Sequence, residues 1–406
     1  MPKTGFKYKC KDCGKIYEIN NTLMLCPYCK EENLEGKPLK GVLEVVLPSY
    51  LRNLKVEYGN FDIHDYLPIE KEFFPSIPVG NTPLIKSENL NNKTGYHELY
   101  IKFDGTNPTG SYKDRASYLV SAFAKKFGSE EIVLASTGNA ASSMAGIGAA
   151  AGQKVFIFVP STAPRAKLIQ CLQYGATLIP IKGNYDKAFD LSLQFSEITG
   201  YLNRNTAYNP MTIEGKKTSS FEIAAQLKKH ADYIFVPVGD GVVLSGVIKG
   251  FNDLKYLGLN SKIPKIIGVQ SDKSKFIYEA FKNGNFDLSY KATTIADSIS
   301  VDVARNGYSA VYDLRNVNGD IITVTDEEIL SAQRYISMNT GIFCEPSSAA
   351  AAAGFLKTKD YLQRESTIVL VLSGHGLKDI ESASKIVDFP DLYEPDINQI
   401  MKRLKI

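Results

Sequence analysis

Short apolar runs punctuate this chain at intervals that leave room for a helix between them. Leu99 to Phe103, Ile132 to Ala135, Val155 to Val159, Ala176 to Ile181, Tyr233 to Val238, Ile266 to Gln270 and Ile368 to Leu372 each read as a strand buried on both faces. Helical patterns fill the spaces between them, and strands alternating with helices predict an α/β fold of parallel sheets joined by crossover helices. One intervening segment, Ala140 to Gly152, is almost wholly small residues, which lets a helix pack close to a sheet or a bound group. Near the end, Ile397, Ile400, Met401 and Leu404 recur at helical spacing and predict an amphipathic helix that docks on the body.

At 406 residues the chain is long enough for two or three domains, and its 44% hydrophobic and 22% charged content is ordinary for a soluble globular protein. A net charge of +3 offers no argument for nucleic acid or a membrane surface as partner. The first residues lack the apolar core of a signal peptide, and no apolar run approaches the ~20 residues of a membrane span, so a cytoplasmic location is expected. Four of the six cysteines stand as Cys10/Cys13 and Cys26/Cys29, with twelve residues between the pairs. In a reducing compartment that spacing predicts a zinc ribbon rather than disulfides, with Gly14 and Pro27 suiting its tight turns. Acidic neighbours such as Asp12, Glu31 and Glu32 favour a structural role for it over nucleic-acid binding. Cys171 and Cys344 have no partner close in sequence and read as buried, inert thiols.

Candidate chemistry sits where the apolar runs end. After Leu99 to Phe103 comes Asn107-Pro108-Thr109-Gly110-Ser111-Tyr112-Lys113-Asp114-Arg115, which puts Lys113 at the mouth of a helix. Partial burial at a positive helix end lowers a lysine pKa, and an unprotonated amine can form a Schiff base. After Ile132 to Ala135, in Ser136-Thr137-Gly138-Asn139, hydroxyls converge with free backbone N–H groups at a helix start, which suits an anion. Gly239-Asp240-Gly241-Val242-Val243, following Tyr233 to Val238, is a turn whose small residues let backbone N–H groups form a phosphate nest. Ser373-Gly374-His375-Gly376-Leu377-Lys378-Asp379 closes the series.

Over residues 79 to 380 these stretches resemble the signatures of pyridoxal phosphate (PLP) enzymes of the tryptophan synthase β-like type, and most of all those of the threonine synthase family. The resemblance implies two parallel-sheet βαβ domains (fold type II) enclosing PLP, preceded by the zinc ribbon. Residues 1–40 would form the ribbon, 41–98 with 235–390 the larger PLP-binding domain, 99–234 a smaller domain carrying the substrate loop, and 391–406 the docking helix. It makes Lys113 the cofactor lysine and catalytic base, and Asn139 the partner of the ring hydroxyl. Gly239, Asp240, Gly241, Val242 and Val243 become the phosphate cradle, with Asp240 contributing its backbone. Ser373 faces the pyridine nitrogen, while His375 belongs to a turn rather than to catalysis. Ser136 and Thr137 would hold the substrate carboxylate. A small amino-acid substrate and a homodimer follow from the same resemblance, the reaction being O-phospho-L-homoserine and water to L-threonine and phosphate.

The match departs from the family where substrate phosphate is recognised. Thr212 stands where an arginine is expected, and Ala140 and Thr206 lie in positions usually filled differently. A hydroxyl does not replace a bidentate guanidinium. Lys102, Arg115 and Lys216 are the candidate replacements. Three readings stay open at this level: threonine synthesis, a related PLP enzyme performing β-elimination or β-replacement on another activated amino acid, and a PLP- or zinc-binding protein without turnover.

Overall fold

A computed structural model describes residues 3–52, 54, 57–59, 61–161, 163, 165–259, 262–286 and 291–405. Its larger sheet has six strands in the order Asp320–Val324, Lys265–Ser271, Tyr233–Pro237, Ile368–Leu372, Leu99–Phe103 and Leu84–Ile85. All are parallel except the last, a two-residue edge strand antiparallel to Leu99–Phe103. Ile368–Leu372 lies centrally and every residue of it is buried, as its unbroken apolar sequence requires of a strand covered on both faces. The alanine-rich helix Pro346–Thr358 covers one face of this sheet, its small side chains admitting close approach. Helix Val242–Tyr256 covers the other.

The smaller sheet has four parallel strands, Thr177–Ile181, Lys154–Pro160, Glu131–Ala135 and Leu202–Asn203. The expected domain of residues 99–234 would put Leu99–Phe103 in this half. It instead pairs with Ile368–Leu372, so the expected boundary at residue 99 falls inside the larger sheet. Segment 113–126, one long helix after the lysine loop, packs between the two halves against helices Asn139–Ala151 and Met211–Lys216.

The cysteine-bearing N-terminus forms its own three-stranded antiparallel sheet, Ile16–Glu18, Lys7–Cys10 and Leu43–Val46, extending past the expected boundary at residue 40. It is fastened to the body. Lys11 pairs with Asp313, both nearly buried, and the Leu39 N–H donates to Arg305 O at 2.8 Å. The terminal helix Ile397–Leu404 forms as its spacing predicts, capped by Asp396, but none of its residues is buried and Ile397 is 65% exposed. Helical spacing defines an apolar face without supplying the surface that covers it. Among the described residues, no helix is long and apolar enough to cross a membrane.

Candidate active site

In parallel α/β sheets, ligands collect beyond the carboxyl ends of the strands. Here both sheets point those ends at one cavity of about 300 Å3, lined by residues of each. Ser136 and Thr137 follow Glu131–Ala135, Arg204 follows Leu202–Asn203, Gly239 and Asp240 follow Tyr233–Pro237, and Ser373 follows Ile368–Leu372. Lys113 opens helix Lys113–Lys126 on the same wall.

The lysine loop is clamped to the serine-glycine motif. The Tyr112 N–H donates to Ser373 O at 2.7 Å and the His375 N–H to Gly110 O at 2.9 Å. Beneath it, Asp114 turns back to accept from the Thr109 N–H at 2.8 Å, which fixes the turn before the helix. Lys113 itself has no hydrogen-bond partner for its amine among the described residues. Its surface opens partly to the cavity but lies deep below the outer surface, and that burial lowers its pKa, opposed by the charges of Asp240 and Glu345. A free amine at this position is therefore more accessible than on a surface lysine.

The turn at Gly239 to Val243 is fixed by the absence of side chains. A Cβ on Gly239 would lie 2.9 Å from Ile299 Cα, and Gly241 has φ +90° with Ala310 Cβ 2.7 Å from where its own would be. Val243 lines the cavity, whereas Val242 is wholly buried and contributes backbone at the helix start. The Asp240 carboxylate accepts the Val242 N–H at 3.0 Å, while its carbonyl accepts from the Asn306 N–H. The acid thus folds onto the loop it belongs to.

Asn139 donates to both oxygens of Glu345, at 3.0 and 3.1 Å, and to Ser298 Oγ at 3.0 Å. Glu345 is a cavity residue that sequence reasoning passed over, although an acid placed directly before the N-terminal proline of a helix was a signal available to it. Burial raises its pKa, partly offset by Asn139. Ser373 Oγ lies 3.2 Å from Ser348 Oγ. His375 spends Nδ1 on the Leu377 N–H at 3.1 Å, which makes it a turn residue.

Of the candidate phosphate cations, the structure withdraws two. Lys102 is fully buried away from the cavity, bonded to Glu222 at 2.7 Å, Thr82 O at 2.6 Å and Gln226 at 2.9 Å. Arg115 is fully buried between Asp104 and Glu222. Thr212 is also buried outside the cavity, its hydroxyl donating to Asn209 O at 2.8 Å. Lys216 lies under the wall against helix Val242–Tyr256, its pKa lowered by burial and then by Lys113 nearby. Thr206 does line the cavity. So does Arg204, which was missed: it is 1% exposed, and among the described residues only Ser117 Oγ, at 3.4 Å, meets its guanidinium.

The model of pyridoxal-phosphate-dependent enzymes matches residues 76–374. Threonine synthase of Methanocaldococcus jannaschii is 34% identical over 414 aligned positions, covering 98% of this chain and 99% of that protein. The chain belongs to this PLP-dependent family, in its threonine synthase branch. Threonine synthase of Methanosarcina acetivorans is 33% identical with 98% of each chain covered. Among solved structures, the processed threonine deaminase isoform 2 of Solanum lycopersicum superimposes with a TM-score of 0.69 at 22% identity, over 87% of this chain and 97% of that one. That likeness establishes fold type II for the PLP-dependent body.

Proposed function

We propose that the protein is a PLP-dependent lyase that converts O-phospho-L-homoserine and water to L-threonine and phosphate. The observation that carries this reading is Lys113, its amine unbonded at the helix mouth, facing the glycine-built nest at Gly239 to Val243 and the hydroxyl of Ser373. The residues fit the cofactor: Lys113 would hold its carbonyl carbon, the nest its phosphate, Asn139 its ring hydroxyl and Ser373 its ring nitrogen. Bound there, PLP would supply the electron sink that makes the substrate α-proton acidic.

The chain's own residues then handle position and protons. Ser136 and Thr137, with the first N–H groups of helix Asn139–Ala151, suit the substrate carboxylate and hold the amino acid in one orientation. Lys113 Nζ, with its pKa lowered, takes the α-proton as a base and returns protons to carbon afterwards. Glu345, its pKa raised by burial, accepts from Asn139, and this is the contact that a ring hydroxyl would replace.

This reading also takes one structural zinc ion at Cys10, Cys13, Cys26 and Cys29. A tetrahedron with ~2.3 Å Zn–S bonds has edges of about 3.8 Å. The Cys10–Cys29 sulfurs are 3.8 Å apart and Cys13–Cys26 3.7 Å, with all four within 4.8 Å of one another. Tyr17 OH, 3.0 Å from Cys26 Sγ, supports one thiolate from outside that set. A cytoplasmic homodimer belongs to the same reading.

Burial of Thr212 keeps a second reading in play, a related enzyme whose substrate has another leaving group. A panel of O-phosphohomoserine, O-phosphoserine, serine and threonine, followed by phosphate release and product analysis, separates the two. Phosphate and threonine from O-phosphohomoserine are the expected result. No phosphate from it, with turnover of another amino acid, overturns the proposal.

A further inference from the structure

The Arg204 guanidinium is 1% exposed and, among the described residues, has no carboxylate partner to offset the hydration it has given up. Burial lowers the Arg204 pKa to about 10, opposed by the more distant charge of Asp240. Its only hydrogen bonds among the described residues, from Nε and Nη2 to Ser117 Oγ, are both long at 3.4 Å. Two other cations on and around the cavity, Arg305 and Lys378, are already engaged. Arg305 pairs with Asp186 and lies over the Phe189 ring at 4.9 Å, and Lys378 bonds Thr109 O at 3.2 Å, Ser142 at 2.9 Å and Gln170. The Lys216 amine also has no hydrogen-bond or carboxylate partner among the described residues, but Lys216 packs against the nest helix and does not line the cavity, whereas Arg204 does.

We propose that Arg204 recognises the anionic phosphate on the substrate side chain and sets the enzyme's preference for a phosphorylated amino acid. The inference rests on the function proposed above. Three observations place it on the substrate rather than on the cofactor. Arg204 belongs to the half of the protein that carries Ser136 and Thr137: its N–H donates to Val133 O at 2.8 Å, beside the strand that feeds that loop. Its backbone is held rigidly, since Asn205 Oδ1 accepts the Ala135 N–H at 2.7 Å and Asn209 donates to Asn203 O at 2.8 Å. Ser117 lies one turn beyond Lys113 on the same helix face, so the guanidinium and the reacting amine look into the cavity together. The nest supplies its own N–H donors for a cofactor phosphate, leaving the planar fork of Arg204 for a second one.

The test is equilibrium binding of 2-amino-5-phosphonopentanoate, an unreactive phosphonate of substrate shape, against norvaline, which lacks the anion. Holoenzyme, Arg204→Gln and Arg204→Lys are compared, with cofactor content read by absorbance. Wild type should prefer the phosphonate, and Arg204→Gln should weaken it about 10- to 100-fold, the loss of one to two charged hydrogen bonds. Norvaline binding and cofactor content should stay within about twofold of wild type, and Arg204→Lys, which keeps the buried cation, should recover part of the loss. The KM for O-phosphohomoserine should rise more than kcat falls. Unchanged phosphonate affinity in both variants overturns the proposal, as does loss of cofactor with phosphonate preference intact, which would give Arg204 to the cofactor. Arg204-dependent phosphonate binding without phosphate release from O-phosphohomoserine upholds this inference and overturns the functional reading.

Discussion

Replacing Arg115 should damage stability and leave substrate affinity alone, although its place in the lysine signature suggests a ligand contact. Arg115 is fully buried. Its Nε donates to Asp104 at 2.5 Å, Nη1 to Glu222 at 2.6 Å and Thr218 at 3.0 Å, and Nη2 to Asp104, Thr82 and Glu222 at 3.0, 3.0 and 2.8 Å. Lys102 completes the group through Glu222, giving two cations and two carboxylates. Arg115→Met would leave a buried excess negative charge, and removing one partner of such a pair costs about 3–5 kcal/mol. Arg115→Lys keeps the charge but loses the fork, costing about 1.5–3 kcal/mol. Arg115→Met with Asp104→Asn should recover part of the loss, because the second change removes the orphaned charge. Acid sensitivity gives an independent sign. Burial works against ionised Glu222, yet Arg115 and Lys102 bring its pKa down to about 2, below its ordinary 4.5. Its stabilisation is thus full above pH 4.5 and lost as pH falls through about 2; in Arg115→Met the loss should begin nearer neutrality. Urea unfolding across pH, with the KM for O-phosphohomoserine measured on folded variant, is the assay. Stability within about 1 kcal/mol of wild type, or a raised KM at unchanged stability, would refute the structural role.

Three further outcomes are expected. Lys113→Ala should abolish borohydride-trapped cofactor; in cofactor-free wild type, an aldehyde probe should condense with Lys113 at pH values where surface lysines are protonated, and the burden of that buried charge means stability rises with pH from the lowered pKa toward the ordinary 10.5. Purified protein should carry one zinc per chain by elemental analysis, and chelation should loosen the N-terminal sheet while PLP stays bound; metal-free protein with an intact ribbon would refute this. Thr212→Arg, the substitution that restores the family's arginine, should lower rather than raise turnover of O-phosphohomoserine: the site is fully buried, and overpacking alone costs about 1–3 kcal/mol, measurable as a fall in Tm.

Which parts of this site were legible in the sequence depends on whether backbone or side-chain charge does the work. The nest at Gly239 to Val243 and the loop before Lys113 are local: small residues after an apolar strand define the turn wherever the strand lies in the sheet. Likewise, the cysteine spacing already implied the cluster that the fold closes. Charge is different, because a cation's role is set by which carboxylate reaches it. Lys102 and Arg115 both read as candidate phosphate ligands until Glu222, 120 and 107 positions away, is seen to occupy them. Arg204 had no motif to announce it, since its distinguishing property, burial at the cavity without a carboxylate partner among the described residues, exists only in the folded chain. Sheet membership is non-local in the same way: Leu99 pairs with Ile368, so its strand joins the larger sheet and not the half expected to begin at residue 99. The substitution at Thr212 is then intelligible without any loss of anion recognition. A buried threonine closes one position on helix Met211–Lys216, and Arg204 reaches the cavity eight residues earlier, just past strand Leu202–Asn203 and beside Asn205, whose side chain holds the Ala135 N–H ahead of the substrate loop.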